Sequence, residues 1–447
     1  MTAPFLRSTL RGTSRPASRT LRPNQLLFVA LALLLVFAPL PLASARAVFW
    51  GVNAIYVGAL AGLYFLWLGL AGRTLPVQTR SLWVVGACFA ALCLFLAAQL
   101  ALGLSLAPGM TLLMLLRHLT YGLFFLLLLQ VLAREDRRLR LLTILLVAIT
   151  AYAAWGLVSL RTGDTILGMD KWAYQGVATG TFTNRNAFAT FLAMGATIAA
   201  TRLGAGIAER RHSRPDLQGM LLPALAMGVI VLALLATQSR MGIFVGAVGI
   251  LLGLLLTLAR AWRTWQVLTG GLVAIAVVTI PFLAYFGDTL IDRLGSLEGS
   301  ASGRASLYAQ VLQLIGLRPW TGFGGGSFEL AFPLVHTLPV DPAVTWDRAH
   351  NIYLSLWSET GLLAGSIPIA IVAFFAVTIA FRFRKASRPA NIIPQATALA
   401  VVSIVALHSM VDFGLEIQAN AFMFLAVLAN GVASAIPPST ASGGDRP

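Results

Sequence analysis

Four side chains able to hold or move charge stand at the edges of long apolar runs: Arg185, Arg240, Arg304 and His350. Arg185 lies in Thr183-Asn184-Arg185-Asn186, where a polar stretch enters an apolar run, and Asn184 is suited to cap the helix that follows. Arg240 lies in Gln238-Ser239-Arg240, a short polar turn between two apolar runs that has no need of a cation. Arg304 opens a segment in which Leu307, Tyr308, Val311, Leu312 and Ile315 repeat with helical spacing, and it falls on that same apolar face. Taken singly, each arginine reads as a span-end cation snorkelling to lipid headgroups. Taken together beside one polar loop, they suit a phosphate or diphosphate. Each offers a planar fork of donors that stays charged when partly desolvated.

His350 opens a helix on which Tyr353, Leu354 and Trp357 share its face, while Glu359 lies nearly opposite. An imidazole can take a proton near neutral pH, as activation of a sugar hydroxyl requires. The alternative is a helix-entry histidine bonded to a loop carbonyl, and position alone does not separate the two. His336 sits in a loop without a helical frame; His118 and His408 fall in apolar runs, and His212 in a basic connection, as packing or surface groups. The Gly322–Gly326 run lacks the lysine and preceding strand of a P-loop, so it reads as a sharp turn. Cys88 and Cys93 share one apolar run at a spacing that puts them on different helical faces, which suits small packing residues rather than a disulfide or metal site.

The elements that must position these groups are membrane helices. The chain has 447 residues, of which 58% are hydrophobic and 11% charged, and runs of about twenty apolar residues recur along it. This predicts an all-α polytopic integral membrane protein with about twelve transmembrane helices and one large outer-face loop. The expected organisation is a basic tail over 1–25, nine spans over 26–287, the loop with its amphipathic helix over 288–349, three spans over 350–436 and a tail over 437–447. The first span is expected over Leu26 to Pro41, the ninth over Val267 to Phe286, the tenth, broken in its middle, over His350 to Ala380, and the eleventh over Thr397 to Val411.

Charge gives the orientation. With the N-terminus cytoplasmic, 22 of the 32 basic residues fall on inner segments, which obeys the positive-inside rule and puts the loop and its arginines outside. Both termini are then cytoplasmic. The net charge of +16 therefore reports contact with anionic inner-leaflet lipid and is no argument for nucleic acid. The first span lacks a small-residue cleavage site and its loss would unbalance the topology, so the basic tail with that span is not read as a cleaved signal.

Several motifs carry a resemblance. Arg304 with its helix, Arg318-Pro319-Trp320-Thr321-Gly322-Phe323-Gly324, and Ala349-His350-Asn351 followed by Gly361 resemble the O-antigen ligase superfamily. So do the elements around Arg185 and Arg240 and the tail from His408 to Phe413; the likeness covers roughly residues 180 to 430. Ala364 stands where the family often has a second small residue after the first glycine. The resemblance implies a bacterial inner-membrane enzyme of polysaccharide or lipopolysaccharide biosynthesis that takes a glycan from a polyprenyl-diphosphate carrier. It implies that Arg185 and Arg240 bind the diphosphate and that His350 serves catalysis, with Asn184 and Asn351 in support. Arg304 is expected to hold the loop or a phosphate.

No Asp-x-Asp stands on the outer face, so a metal-independent, inverting glycosyltransferase without cofactor is expected, with a glycolipid, glycan or protein as acceptor. A ligase comes first, and a polymerase with the same donor second. A secondary transporter of a small anion is the third reading, disfavoured because the charges cluster at one face and form no repeat.

Overall fold

The computed structural model describes residues 23–209, 217–259 and 297–436. Its long helices are α1 (Pro23–Phe37), α2 (Ala47–Leu70), α3 (Arg80–Ala101), α4 (Pro108–Val131), α5 (Glu135–Arg161) and α6 (Arg185–Glu209). There follow α7 (Leu217–Ala236), α8 (Arg240–Leu258), α9 (Leu297–Leu317), α10 (Ile352–Phe383), α11 (Pro389–Ser409) and α12 (Gln418–Ala435). Ten of these are long and apolar enough to cross a membrane, and α1 is a shorter apolar helix. The protein is an all-α, multi-pass membrane protein. The expected ninth span, both tails through residues 1–22 and 437–447, and the start of the large loop lie outside the described residues.

Local chemistry explains the helix ends. Pro39 and Pro41 lie just beyond α1, which stops at Phe37, before the expected Pro41. Pro389 opens α11 well before the expected Thr397, in the first-turn position where its missing N–H costs nothing. Helix α5 carries Glu135 and Asp136 in its first turn and Arg161 in its last, matching the helix dipole at both ends.

Helices α6 and α12 form the centre of the bundle. Almost every residue of α12 is buried. Its polar side chains are therefore tied to partners: Asn420 donates to the Ala187 and Gly414 carbonyls at 2.9 Å each, and Asn430 donates to the Arg138 carbonyl at 3.0 Å. Glycines on α8 allow it to lie close against α6. A Cβ at Gly249 would stand 2.2 Å from Thr197 Oγ1, and one at Gly242 would stand 2.3 Å from Ala189 Cβ.

A second, smaller core lies under the large loop. Leu307, Val311, Leu314 and Ile315 of α9 pack with Phe323, Phe328, Phe332, Val340 and Ala349. Two expectations need correcting here. Leu312 faces outward, 57% exposed, and Arg304 is exposed rather than buried on the stripe. The helical angle of Arg304 matches the apolar face, but the packed layer begins at Leu307, one turn further on.

Helix α10 breaks at Gly361, with φ 74° and ψ 166°, and not at Pro368. The Gly322–Gly326 turn plugs that break. Leu362 N donates to the Pro319 carbonyl at 2.8 Å, Phe323 N to Ser358 at 3.0 Å and Gly324 N to Glu359 at 2.9 Å. Gln99 of α3 donates to the Thr321 and Glu359 carbonyls at 2.6 and 2.9 Å, and Thr111 of α4 to Gly325 at 2.8 Å. A Cβ on Gly322 would meet the Glu359 carbonyl at 2.3 Å. The glycine run is thus a packed backbone turn whose Phe323 and Gly324 amides are spent on α10 and whose Gly322 amide is spent on Arg318, and no phosphate cradle.

Candidate active site

The N-termini of α6, α8 and α10 are each fastened by the side chain just before them. Asn184 Oδ1 accepts from the amides of Asn186 (2.7 Å) and Ala187 (3.1 Å). Ser239 Oγ accepts from Gly242 N at 3.2 Å, and Asn351 Oδ1 from Tyr353 N and Leu354 N at 3.0 and 3.1 Å. These caps place Arg185 and Arg240 as the first residues of α6 and α8, and His350 one residue before the cap of α10.

One residue joins the first two of these segments to the α11–α12 connection. Asn186 Nδ2 donates to Asp412 Oδ2 at 2.6 Å, and Asn186 Oδ1 accepts from Ser239 Oγ at 2.8 Å. The segment after Arg185, the turn before Arg240 and the α11–α12 connection at Asp412 therefore form a single polar knot. Asp412 is buried and also accepts from Phe413 N at 2.7 Å. His408, whose sequence position gave only packing, has Nδ1 3.0 Å from Thr190 Oγ1 in the wall behind it.

The same connection holds the His350 segment. Tyr308 of α9 donates its hydroxyl to the His350 and Met410 carbonyls at 3.0 and 3.2 Å, and Asn351 Nδ2 donates to the Met410 carbonyl at 2.8 Å. His350 takes a left-handed backbone, φ 50°, uncommon for a residue with a side chain. Its ring packs edge-on to Phe413 (5.1 Å between centroids) and Trp346 (6.0 Å). Burial pushes the imidazole below the usual histidine range; Asp412 opposes that shift and Arg304 reinforces it. Arg304 and Asp412 both lie within electrostatic reach of the ring.

Sequence reasoning passed over two further cations and a phenol. Arg348 pairs with Glu416 at 3.0 Å and lies over the Phe413 ring at 4.5 Å. Burial works against its charge, but Glu416 and Asp347 outweigh it and hold the guanidinium above the usual arginine range. Arg117 of α4 donates to the Glu416 carbonyl at 2.7 Å and stacks on Trp50 at 4.3 Å, so this intramembrane arginine braces the same connection. Tyr174 lies under Arg185, with 5.6 Å from Cζ to the ring centroid, and its hydroxyl accepts from Asn184 Nδ2 at 3.3 Å. Burial raises the Tyr174 phenol, Asp412 raises it further and Arg185 lowers it, so Asp412 lies within reach of both Arg185's partner and His350. The signal for Arg348 was its position two residues before His350; Asp347 beside it pairs with it at 3.4 Å, while Glu416 and Phe413 are far away in sequence.

Arg185 is half-buried, whereas Arg240 and Arg304 are exposed at the surface of this knot. The arrangement offers guanidiniums toward one end of the bundle, the positive ends of three helices, and an imidazole in an aromatic wall. It is suited to hold an anion beside a group able to accept a proton. His336, by contrast, lies against Phe332 with Nε2 3.3 Å from the Val340 carbonyl, and His118 has Nδ1 2.8 Å from the Met114 carbonyl within α4. Cys88 and Cys93 are free, one exposed and one buried.

No curated protein matches the chain. Residues 225–369 match the family model described as O-antigen ligase. That stretch contains Arg240, Arg304, His350 and Asn351; Asn184 and Arg185 precede it, and Asp412 follows it. The multi-pass helical fold and this match across the α8–α10 region make that part of the chain similar to the O-antigen ligase family.

Proposed function

We propose that the protein transfers a glycan from a polyprenyl-diphosphate carrier to an acceptor hydroxyl at the outer face of the bacterial inner membrane. The observation that carries this reading is the bridge made by Asn186 to Ser239 and Asp412. It gathers the segments of Arg185 and Arg240 at Asp412, and Tyr308 and Asn351 tie the His350 segment to the same connection at Met410. In this reading Arg185, Arg240 and Arg304 hold the diphosphate and stabilise the charge that grows on it as the glycosidic bond breaks. His350, whose pKa burial lowers, accepts the proton of the attacking hydroxyl, and Asp412 steadies the imidazolium that results. One in-line displacement inverts the anomeric carbon, with no step assigned to a metal.

A ligase, whose acceptor is a glycolipid or protein, is the first reading; a polymerase, whose acceptor is a second lipid-linked glycan, uses the same groups. The test is donor binding by purified protein. Arg185→Ala and Arg240→Ala are expected to lose the polyprenyl-diphosphate glycan, and Lys at either position to restore little, since a point charge lacks the bidentate fork. Retention of the donor in both alanine variants contradicts the reading. Sidedness is read separately, in a background lacking Cys88 and Cys93. A cysteine at the exposed Ala343 is expected to react with an impermeant reagent in outer-permeabilised cells, and one at the exposed Ser387 is not. The reverse pattern overturns the outer-face assignment.

A further inference from the structure

His408 lies in the last turn of α11 and is 2% exposed, yet the proposed mechanism gives it no task. Its Nδ1 stands 3.0 Å from Thr190 Oγ1 of α6, and its Nε2 makes no hydrogen bond among the described residues. Thr190 is buried as well, and its hydroxyl reaches the Asn186 carbonyl one turn back at 3.0 Å. A hydroxyl has one proton, and a carbonyl can only accept. With that proton spent on Asn186, the contact with His408 runs from Nδ1–H to Thr190 Oγ1. Nε2 is then left as a bare lone pair.

These contacts close on themselves. Asn186 Nδ2 donates to Asp412 Oδ2 at 2.6 Å, and Asp412 N donates to the His408 carbonyl at 3.0 Å. His408 Nδ1 donates to Thr190, and Thr190 Oγ1 returns to the Asn186 carbonyl. Each member gives a proton to the next and accepts one from the last, so every bond polarises its neighbours in the same sense. Gly414 leaves room for this circuit: a Cβ there would stand 2.7 Å from Thr190 Oγ1 and 3.4 Å from His408 Nδ1. The circuit leads outward to the candidate base. The other Asp412 oxygen, Oδ1, accepts from Phe413 N at 2.7 Å, and the Phe413 ring packs against His350.

We propose that His408 is a positioning residue: donating through Nδ1, it closes the circuit that fixes the Asp412 carboxylate and, through Phe413, the wall against which His350 works. This rests on the roles given to His350 and Asp412 under the proposed function. In this assignment His408 touches neither donor nor acceptor and acts on turnover through Asp412.

The test pairs a spectrum with kinetics. In protein carrying isotope-labelled histidine and held in lipid, nitrogen NMR is expected to show the His408 proton on Nδ1 and none on Nε2. The signal is identified by its loss in His408→Asn, and it should move in Thr190→Val. A proton on Nε2 instead, or a signal indifferent to Thr190→Val, overturns the circuit. In glycan transfer, His408→Leu and Thr190→Val should each lower kcat by about tenfold per folded molecule, the effect of one lost buried hydrogen bond, with donor KM little changed. The double variant should stay at roughly tenfold and not reach about a hundredfold, because both changes cut the same bond. His408→Asn, whose amide can donate in place of Nδ1–H, should recover most of the loss, and so should Thr190→Ser in place of Thr190→Val. An additive double variant, a His408→Asn as slow as His408→Leu, or a loss of folded protein with kcat unchanged overturns the proposal and leaves the diphosphate reading standing. If wild type transfers no glycan, the proposed function fails, and the spectrum alone decides the circuit.

Discussion

Asn186→Ala removes the residue that joins the two arginine segments to Asp412. It touches no substrate in the proposed mechanism, so its effect measures positioning alone. Two bonds are lost: a neutral one to Ser239 Oγ at 2.8 Å and a charge-assisted one to Asp412 Oδ2 at 2.6 Å. The first contributes about 0.5–1 kcal/mol and the second about 1.5–3, so the knot loosens by roughly 2–4 kcal/mol. If that loss is expressed in the transition state, kcat/KM falls by roughly 30- to 1,000-fold. The residual Asp412 carboxylate, 2% exposed, then lacks one partner. The assay is glycan transfer by purified protein in lipid vesicles, with thermal unfolding measured alongside. Asn186→Asp should do at least as badly, since it sets a second carboxylate against Asp412. An Asn186→Ala protein that folds normally and keeps kcat/KM within about threefold of wild type refutes the claim that this bridge assembles the site.

Other consequences follow from the same geometry. Because burial lowers the His350 pKa, kcat should lose its base below the ordinary histidine value of about 6.5 and be flat above it; Arg304→Ala, which removes a cation from its surroundings, should move that acid limb upward in a pH–rate profile. An acid limb that stays in place in Arg304→Ala argues against their electrostatic contact. Tyr174→Ala should weaken donor affinity by roughly 3- to 30-fold through loss of the cation–π contact under Arg185, with Tyr174→Phe close to wild type, as read by donor titration. Gly361→Ala should lower stability by about 2–5 kcal/mol, since a Cβ there meets the Trp320 carbonyl at 2.3 Å on a backbone of φ 74°; a thermal midpoint like that of wild type would contradict the plugged break.

Much of the bundle was legible because lipid imposes a simple rule: an apolar run of about twenty residues has nowhere to satisfy its backbone except in a helix. The cap at Asn184 was legible for a related reason, since side-chain oxygens before such a run serve its first amides. The resemblance of the Arg304-to-Gly361 motifs also led to the family that the match over residues 225–369 supports. What sequence concealed was pairing over distance. Asn186 meets Asp412 from 226 residues away, and Arg348 meets Glu416 from 68 residues away, and neither partner announces the other. The exposure of Arg304 was hidden as well, because a helical wheel gives the angle of a residue but not where the covering layer ends. Nor did the Gly322–Gly326 run announce that its Phe323 and Gly324 amides bond the broken α10; only the approach of Gly322 to the Glu359 carbonyl shows why a side chain is barred there.

The central claim is tested most directly by turnover of a defined polyprenyl-diphosphate glycan in vesicles containing only this protein and an acceptor, with wild type and His350→Ala compared in the presence of a strong chelator. Wild type is expected to transfer the glycan with inversion. His350→Ala should still bind the donor while transferring it at least about a hundredfold more slowly. Normal transfer by His350→Ala, or dependence of the wild type on the chelated metal, would contradict the account.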